Sequence, residues 1–468
     1  MSIFKAYDIR GTVPDQLNPE VAETIGAGFA SFLIEECGNP RPNIVVARDM
    51  RSHSPEIAAA FHKGVCSTGA NVIDAGLTTT PMLYAAVVLR SDVHGGAMIT
   101  ASHNGPAYNG MKLCRAEAVP ISGTTGLKRI EELSSAPNRA ASPGQVTLWQ
   151  AEGEPVEAPK PISDQVNADL WGAYSAFAKG FCSPWPSGFK VAVDPANGAG
   201  CLYLPILRWL GLDVVSINQE LDGSFPAHEA NPIKAANLVP TQELVRSCGA
   251  RLGIAFDGDA DRVVFVDELG EAVPADLATA VLAREFLKSH QNAAILYDLR
   301  SSRAVASEVK AMGGRGVRER VGHSFMKATM RSEGCVFGGE LSGHYYFQDT
   351  FNADSSLRAA IAMLNLLASS DKPLSVLINN VRRFHQSGEI NFIVADKDAI
   401  MRKVAESFPS GEVDHLDGVT VQFPNWWLNL RPSNTEPLLR LNVEAESTEM
   451  LSEKLSELRA MIGGEEER

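Results

Sequence analysis

The chain has 468 residues, more than one hydrophobic core usually supports, so three or four domains are expected. With 45% hydrophobic and 21% charged residues it has an ordinary soluble composition, and no apolar run approaches the ~20 residues of a membrane span. A formal charge of −14 argues against non-specific binding to nucleic acid or anionic membrane, so an anionic substrate would need a locally basic cleft. The N-terminal stretch, with Lys5, Asp8 and Arg10, lacks the pattern of a secretory leader, and the expected location is the cytoplasm. The seven cysteines contain no CxxC pair, and an odd count argues against a closed disulfide framework.

FKAYDIRG (4–11) opens the chain on a turn at Arg10-Gly11. Asn18-Pro19-Glu20 supplies a cap, a first-turn proline and a first-turn acid for a helix running to Cys37-Gly38. A strand at 43–50 precedes another cap-and-proline start at Ser54-Pro55-Glu56, with Gly69 as the stop. A strand at 71–75, a Thr-rich turn with Pro81 and a helix then lead to an apolar run at 95–99, which reads as a buried strand delivering Ser102. The same order of strand, helix, strand, helix, strand recurs twice more. The second copy comprises FKVAVDPANGAG (189–200), Gly211 to Val215 and LGIAFDGDADR (252–262); the third comprises AAILYDLRSS (293–302), Gly314 to Val321 and CVFGGELSGH (335–344).

This alternation predicts α/β domains with mixed, mostly parallel sheets, in which ligand groups gather beyond the carboxyl ends of strands. Three polar, glycine-bearing loops would then meet in one central cleft. Residues 134–164, rich in Pro, Ala, Ser and Gly, read as irregular linker, and Asp371-Lys372-Pro373 as a shorter break and hinge. Beyond it, strands at 419–423, 426–430 and 438–445 and a helix from Thr448 predict a smaller α+β unit. The terminal GEEER is expected to be solvated and without function. The expected domains are 1–155, 156–270, 271–371 and 372–468.

Four motifs carry chemistry. In TASHNGPAYNGMKL (100–113), His103, Asn104 and Lys112 surround the Ser102 hydroxyl, a poor nucleophile alone, while Gly105, Pro106 and Gly110 fix an irregular backbone. The functional reading is a nucleophilic or phosphate-carrying serine, and the plainer one is a polar loop satisfying its own backbone. Asp257, Asp259 and Asp261 stand at alternate positions after an apolar strand, with Gly258 and Ala260 small enough for the backbone to curl and the carboxylates to converge. Hard oxygen ligands point to Mg2+, because three such carboxylates repel one another without a cation. A calcium loop of the EF-hand kind would need glycine where Arg262 stands.

Glu340, Ser342 and His344, set among glycines, suit vicinal sugar hydroxyls, with Arg320 and His323 adding positive charge; a simple glycine-rich turn fits the motif equally. Arg431, Ser433, Asn434 and Thr435 form a proline-bounded loop suited to phosphate, with an Asx or ST turn as the alternative.

The order of these loops, with YDIRG at the start, resembles the α-D-phosphohexomutases over essentially the whole chain. The resemblance implies four domains around a central cleft, a phosphoserine at Ser102, and Mg2+ bound by Asp257, Asp259 and Asp261 beside Ser102. It further implies that a phosphoryl group moves between O1 and O6 of mannose, and also of glucose, through a bound hexose 1,6-bisphosphate. Arg10, Arg262 and Lys112 would surround the transferring group, and either Lys112 or His103 would move the proton. Glu340 and Ser342 would hold sugar hydroxyls, and Arg431, Ser433, Asn434 and Thr435 the non-reacting phosphate. Tyr7, Arg320, His323 and His344 would add substrate contacts. The partner is a small phosphosugar, and the chain a monomer or weak dimer.

Two departures stand out: Gly105 separates SHN from Pro106, which is expected to loosen the loop, and Arg320 stands where lysine is common. A Mg2+-dependent phosphatase is a competing reading, as is a non-catalytic sugar-phosphate binder.

Overall fold

The computed structural model describes residues 3–136, 140–153, 156–433 and 438–467. Local chemistry sets many element ends where the sequence marks them. The helix Pro19–Cys37 starts at Asn18, whose side chain accepts the Val21 N–H at 2.9 Å, and stops at Gly38 with φ 65°.

The three copies form three mixed sheets. In the first the order is Ile9–Thr12, Tyr108–Arg115, Val93–Ile99, Asn43–Arg48, Asn71–Leu77, Val146–Leu148. The second runs Val263–Val266, Leu252–Phe256, Lys190–Asp194, Asp213–Ser216, and the third Arg315–Glu319, Ala294–Asp298, Cys335–Gly339, Tyr345–Phe347, Ala353–Asp354. Each motif-bearing strand lies parallel to the first strand of its own copy on one side and antiparallel to the returning strand on the other. The loops after Ile99, Phe256 and Gly339 are therefore equivalent positions of one repeated architecture, at the carboxyl ends of the parallel strands.

The last unit is an antiparallel sheet led by Glu412–Asp414, Val419–Gln422, Trp426–Pro432, Leu439–Ala445 and Ile390–Ile393. Helices Lys397–Ser407 and Thr448–Ile462 bury Val404, Leu458 and Ile462 in its separate core. A continuous core joins the first three sheets, from Val45 to Val381. The α/β class with a smaller α+β unit is thus observed.

One local expectation is corrected, and two local features are added. Within the presumed linker, Val146–Leu148 adds a parallel edge strand to the first sheet, and the next residue, Trp149, is buried and donates its Nε1 hydrogen to Ala86 O at 2.9 Å. Within the terminal GEEER, Glu465–Glu467 pairs with Ile390–Ile393, and Glu466 meets Arg459 at 2.8 Å. A free sheet edge recruits backbone whatever its charge, which composition does not reveal. Finally, the helix Leu374–Val381 packs on Ala275–Ser289 with Leu374, Ile378 and Val381 buried in the shared core, so the break at Asp371 to Pro373 is followed by a helix that still packs with the third copy. Among the described residues, no single helix is long and apolar enough to cross a membrane.

Candidate active site

Ser102 sits one turn beyond Val93–Ile99 with φ 53°, a left-handed conformation that serine rarely adopts. Its Oγ donates to Asp257 Oδ2 at 3.1 Å and lies 3.4 Å from His103 Nδ1. Burial pushes the His103 imidazole well below its usual range, and the cations Arg262 and Arg10 push the same way. Arg10 donates from Nη1 to Ala101 O at 3.1 Å and to the Asn104 side chain, while its Nε holds Asp8 at 2.8 Å. The loop is not loose despite Gly105: the Arg51 guanidinium donates to the carbonyls of Ser102, Asn104, Gly105 and Tyr108 at 2.7 to 3.0 Å.

Opposite Ser102, the 257–262 loop curls as expected. Asp257 Oδ1 accepts the N–H groups of Asp261 and Arg262 at 3.1 and 3.2 Å, and Ala260 takes φ 57°. One oxygen from each of Asp257, Asp259 and Asp261 falls within 4.8 Å of the others, all buried. Lys112 Nζ is 2.7 Å from Asp259 Oδ2 and also pairs with Asp261. Burial alone would lower Lys112, but these carboxylates outweigh it and hold the ammonium above the usual lysine range. Burial raises Asp257 well above the carboxylate range, and Asp261 and Asp259 reinforce the rise.

These residues fit a hard divalent cation. The donor set is all oxygen, Asp259 Oδ1 and Asp261 Oδ1 are buried without a hydrogen-bond partner among the described residues, and the repulsion that adds to the effect of burial on Asp257 is what a cation relieves. His344 and Asp354 form a second acidic grouping with Asp261, but Lys327 Nζ lies 2.9 Å from Asp354, which makes it a charge network around the first cluster.

The sugar-loop candidates meet this centre directly. His344 Nε2 is 3.5 Å from Asp261 Oδ1, and Val263 N–H donates to Gly343 O at 3.0 Å. Ser342 Oγ lies 2.8 Å from His344 Nδ1. Glu340 accepts the Gly322 N–H at 3.0 Å and a bond from Tyr346 OH; burial would raise it, but His344, Tyr346 and Arg300 hold it below the usual range. Tyr7 bridges copies one and three, donating its OH to Val321 O at 3.1 Å, with its ring edge-on to His323. Arg320 stacks on Phe325 and stands 4.0 Å from Asp417.

Arg431 is not placed on the Ser102 loop. Its Nη2 donates to Glu389 Oε2 at 2.7 Å, and Glu389 also lies 3.4 Å from Arg300 and 3.2 Å from Arg440. Burial would raise Glu389, yet Arg300, Arg431 and Arg440 bring it down to about 2. Among the described residues, the Nε of Arg431 is buried without a hydrogen-bond partner. Ser433 continues from that strand, with its N–H on Leu438 O at 2.8 Å, while Asn434 and Thr435 lie outside the described residues.

Arg300, Asp298 and Glu389 are the residues that sequence reasoning missed. Asp298 Oδ2 accepts from Arg300 Nη2 at 2.8 Å and from Leu341 N–H at 2.7 Å, so this pair ties the sugar loop to the Arg431 cluster. The signal was present in YDLRSS, whose Asp-Leu-Arg repeats the Asp-Met-Arg after the first copy's opening strand.

Comparison with known proteins agrees with this architecture. Family models described as phosphoglucomutase/phosphomannomutase match in order: α/β/α domain I at residues 1–139, domain II at 175–270, domain III at 274–384 and the C-terminal domain at 389–461. The chain is 36% identical over 463 residues to a phosphomannomutase of Methanocaldococcus jannaschii, covering 99% of this chain and 98% of that one. It is also 36% identical over 457 residues to phosphohexose mutases of Xanthomonas campestris, covering 96% of each. A solved phosphoglucomutase/phosphomannomutase family protein from Burkholderia thailandensis superposes with a TM-score of 0.88 at 29% identity, over 99% of this chain and 98% of that one. The chain belongs to the α-D-phosphohexomutase family. Fold and relatives together support a phosphohexomutase-type reaction.

Proposed function

We propose that this protein interconverts hexose 1-phosphate and hexose 6-phosphate, with mannose and glucose as sugars, through phosphoserine 102 and a bound 1,6-bisphosphate. The observation that carries the reading is the Ser102 hydroxyl, 3.1 Å from Asp257 in a buried three-carboxylate cluster that the sugar loop's His344 also touches. Asp257, Asp259, Asp261 and Ser102 would hold Mg2+, which supplies charge neutralisation at the transferring phosphoryl group.

A sugar hydroxyl attacks the phosphorus carried on Ser102. The new sugar O–P bond forms as the bond to Oγ breaks, and the hydroxyl proton leaves to a base. Lys112 is committed to two carboxylates, and His103, 3.4 Å from Oγ, is placed to exchange a proton with the Ser102 oxygen as the phosphoryl group leaves and returns. Arg10 and Arg262 flank the transfer, Glu340 and Ser342 hold sugar hydroxyls, and Arg431 with Ser433, Asn434 and Thr435 holds the distal phosphate. The bisphosphate then turns over and returns its other phosphoryl group to Ser102.

The test incubates the protein with mannose 1-phosphate and Mg2+ and follows mannose 6-phosphate beside inorganic phosphate. Isomerisation is expected, with one phosphate on Ser102 by intact mass. Phosphate release without isomerisation would favour a phosphatase, and binding without turnover a non-catalytic protein.

Arg431→Ala is expected to raise KM roughly tenfold or more and to lower kcat less, because a distal phosphate contact serves ground and transition states alike. Steady-state kinetics decide this, and an unchanged KM would remove Arg431 from the phosphate site.

Sugar choice should be broad. A sugar that binds in two opposed orientations presents O3 and O4 to Glu340 and Ser342 both ways, while O2 changes place, so C2 is weakly read. We expect kcat/KM for mannose 1-phosphate and glucose 1-phosphate to agree within about a hundredfold. A preference above ~10⁴ would mean that dedicated polar groups read C2.

A further inference from the structure

The first and third copies open with the same short device, put to different uses. Asn43–Arg48 runs into Asp49-Met50-Arg51, and Ala294–Asp298 into Asp298-Leu299-Arg300. In both, the aspartate Oδ1 accepts the N–H of the arginine two residues on, at 3.0 Å for Arg51 and 2.7 Å for Arg300, and the guanidinium folds back onto the same carboxylate. The second copy keeps the turn, with Ala196 N–H on Asp194 Oδ1 at 2.9 Å, but has no arginine. Arg300 reaches out to Glu389 of the last unit, whereas Arg51, 1% exposed, turns wholly inward.

A guanidinium has five N–H donors, and Arg51 uses all of them within the protein. Nε donates to Asp49 Oδ2 at 3.0 Å; Nη1 donates to Gly105 O and Tyr108 O at 2.8 and 3.0 Å; Nη2 donates to Ser102 O and Asn104 O at 2.8 and 2.7 Å. No donor remains for a ligand.

The other end of the Ser102 residue is held from the same carboxylate. Thr100 Oγ1 donates to Asp49 Oδ2 at 2.7 Å and accepts the Ser102 N–H at 3.0 Å. Both backbone polar groups of Ser102 are thereby fixed through Asp49, and they hold its φ of 53°. The second copy closes the back of this arrangement: a Cβ on Gly258 would lie 2.3 Å from Ser102 O, and one on Gly223 2.5 Å from the Arg51 Cα. The Phe225 ring lies 5.0 Å from the Arg51 guanidinium carbon.

We propose that the Asp49–Arg51 pair is a positioning device that aims the Ser102 hydroxyl at Asp257, an inference that rests on the phosphoserine reading above. Arg51 touches neither sugar nor phosphate. It acts through the loop backbone, where a displacement of about an ångström costs a chemical step about a hundredfold.

The test compares wild type with Arg51→Lys, which keeps the charge but at most three donors, and with Thr100→Val, which removes the acceptor of the Ser102 N–H together with that hydroxyl's own bond to Asp49. Thermal melts establish the folded fraction, and kinetics are expressed per folded molecule. Turnover is expected to fall about a hundredfold in Arg51→Lys and roughly tenfold in Thr100→Val, with KM for mannose 1-phosphate within about threefold of wild type. Arg51→Ala should recover part of its lost turnover in millimolar guanidinium, which refills the donor site; if that variant does not fold, the other two carry the test.

Amide hydrogen exchange across 101–109 should quicken at least about tenfold in Arg51→Lys. Turnover within twofold of wild type in folded Arg51→Lys, a loss carried by KM, or unchanged exchange would each overturn the proposal. A wild-type protein without mutase turnover would sink the functional reading, while the exchange experiment still decides whether the loop is held by Arg51.

Discussion

Ser102→Ala should lower mutase turnover by about a thousandfold or more while leaving the fold and sugar-phosphate binding intact. The side chain removed is small and buried, and the loop around it is held through backbone carbonyls on Arg51, which alanine retains. What disappears is the hydroxyl proposed to carry the phosphoryl group, together with its bond to Asp257. The checks are a coupled isomerase assay on a preparation free of host mutase, a melting curve, and titration with mannose 1-phosphate. Near wild-type turnover would sink the phosphoserine mechanism; loss of binding along with turnover would mean that Ser102 contributes to holding substrate.

Asp259→Asn should lower turnover about a hundredfold and raise the Mg2+ concentration for half-activation by at least about tenfold. Asp259 Oδ2 is shared by Lys112 at 2.7 Å and Thr80 Oγ1 at 2.6 Å, which orient the carboxylate and leave Oδ1 without a partner. An amide in its place removes one charge from the cluster and, with its oxygen kept on the donors Lys112 and Thr80, sets its NH2 where Oδ1 would face a cation. Both effects weaken a cation site without emptying any core volume, so the melting curve should move little. Identical Mg2+ activation curves for variant and wild type would remove Asp259 from the metal site.

The Arg300, Glu389 and Arg431 cluster joins the last unit to the third. Glu389 holds Arg431 of the fourth unit beside Arg300 of the third, in the segment where the chain leaves the shared core after Val381. An incoming phosphate would compete with Glu389 for the Arg431 fork, since both are oxyanions suited to the same geometry. This places the expected KM effect of Arg431→Ala at the joint between the two bodies, where Arg431 is bonded.

Much of this protein was legible in the order of residues, and for physical reasons. Period-2 and period-3.6 patterning, with caps such as Asn18 and stops such as Gly38, is local information, and it repeated three times, so the α/β class and the three loop-bearing strands could be read directly. The Asp257, Asp259 and Asp261 spacing was equally informative, because convergence of neighbouring side chains depends only on a short stretch of backbone. Tertiary structure alone decided what depends on distant partners. The partners of Lys112, two carboxylates some 150 positions away, could not be read from its own stretch of chain. Gly105 suggested a loose loop until Arg51, from another strand end, took four of its carbonyls. The charged GEEER tail was read as solvated, and Glu465 and Glu466 are exposed, but their pairing with an open sheet edge was not legible, since backbone hydrogen bonding takes no account of side-chain composition.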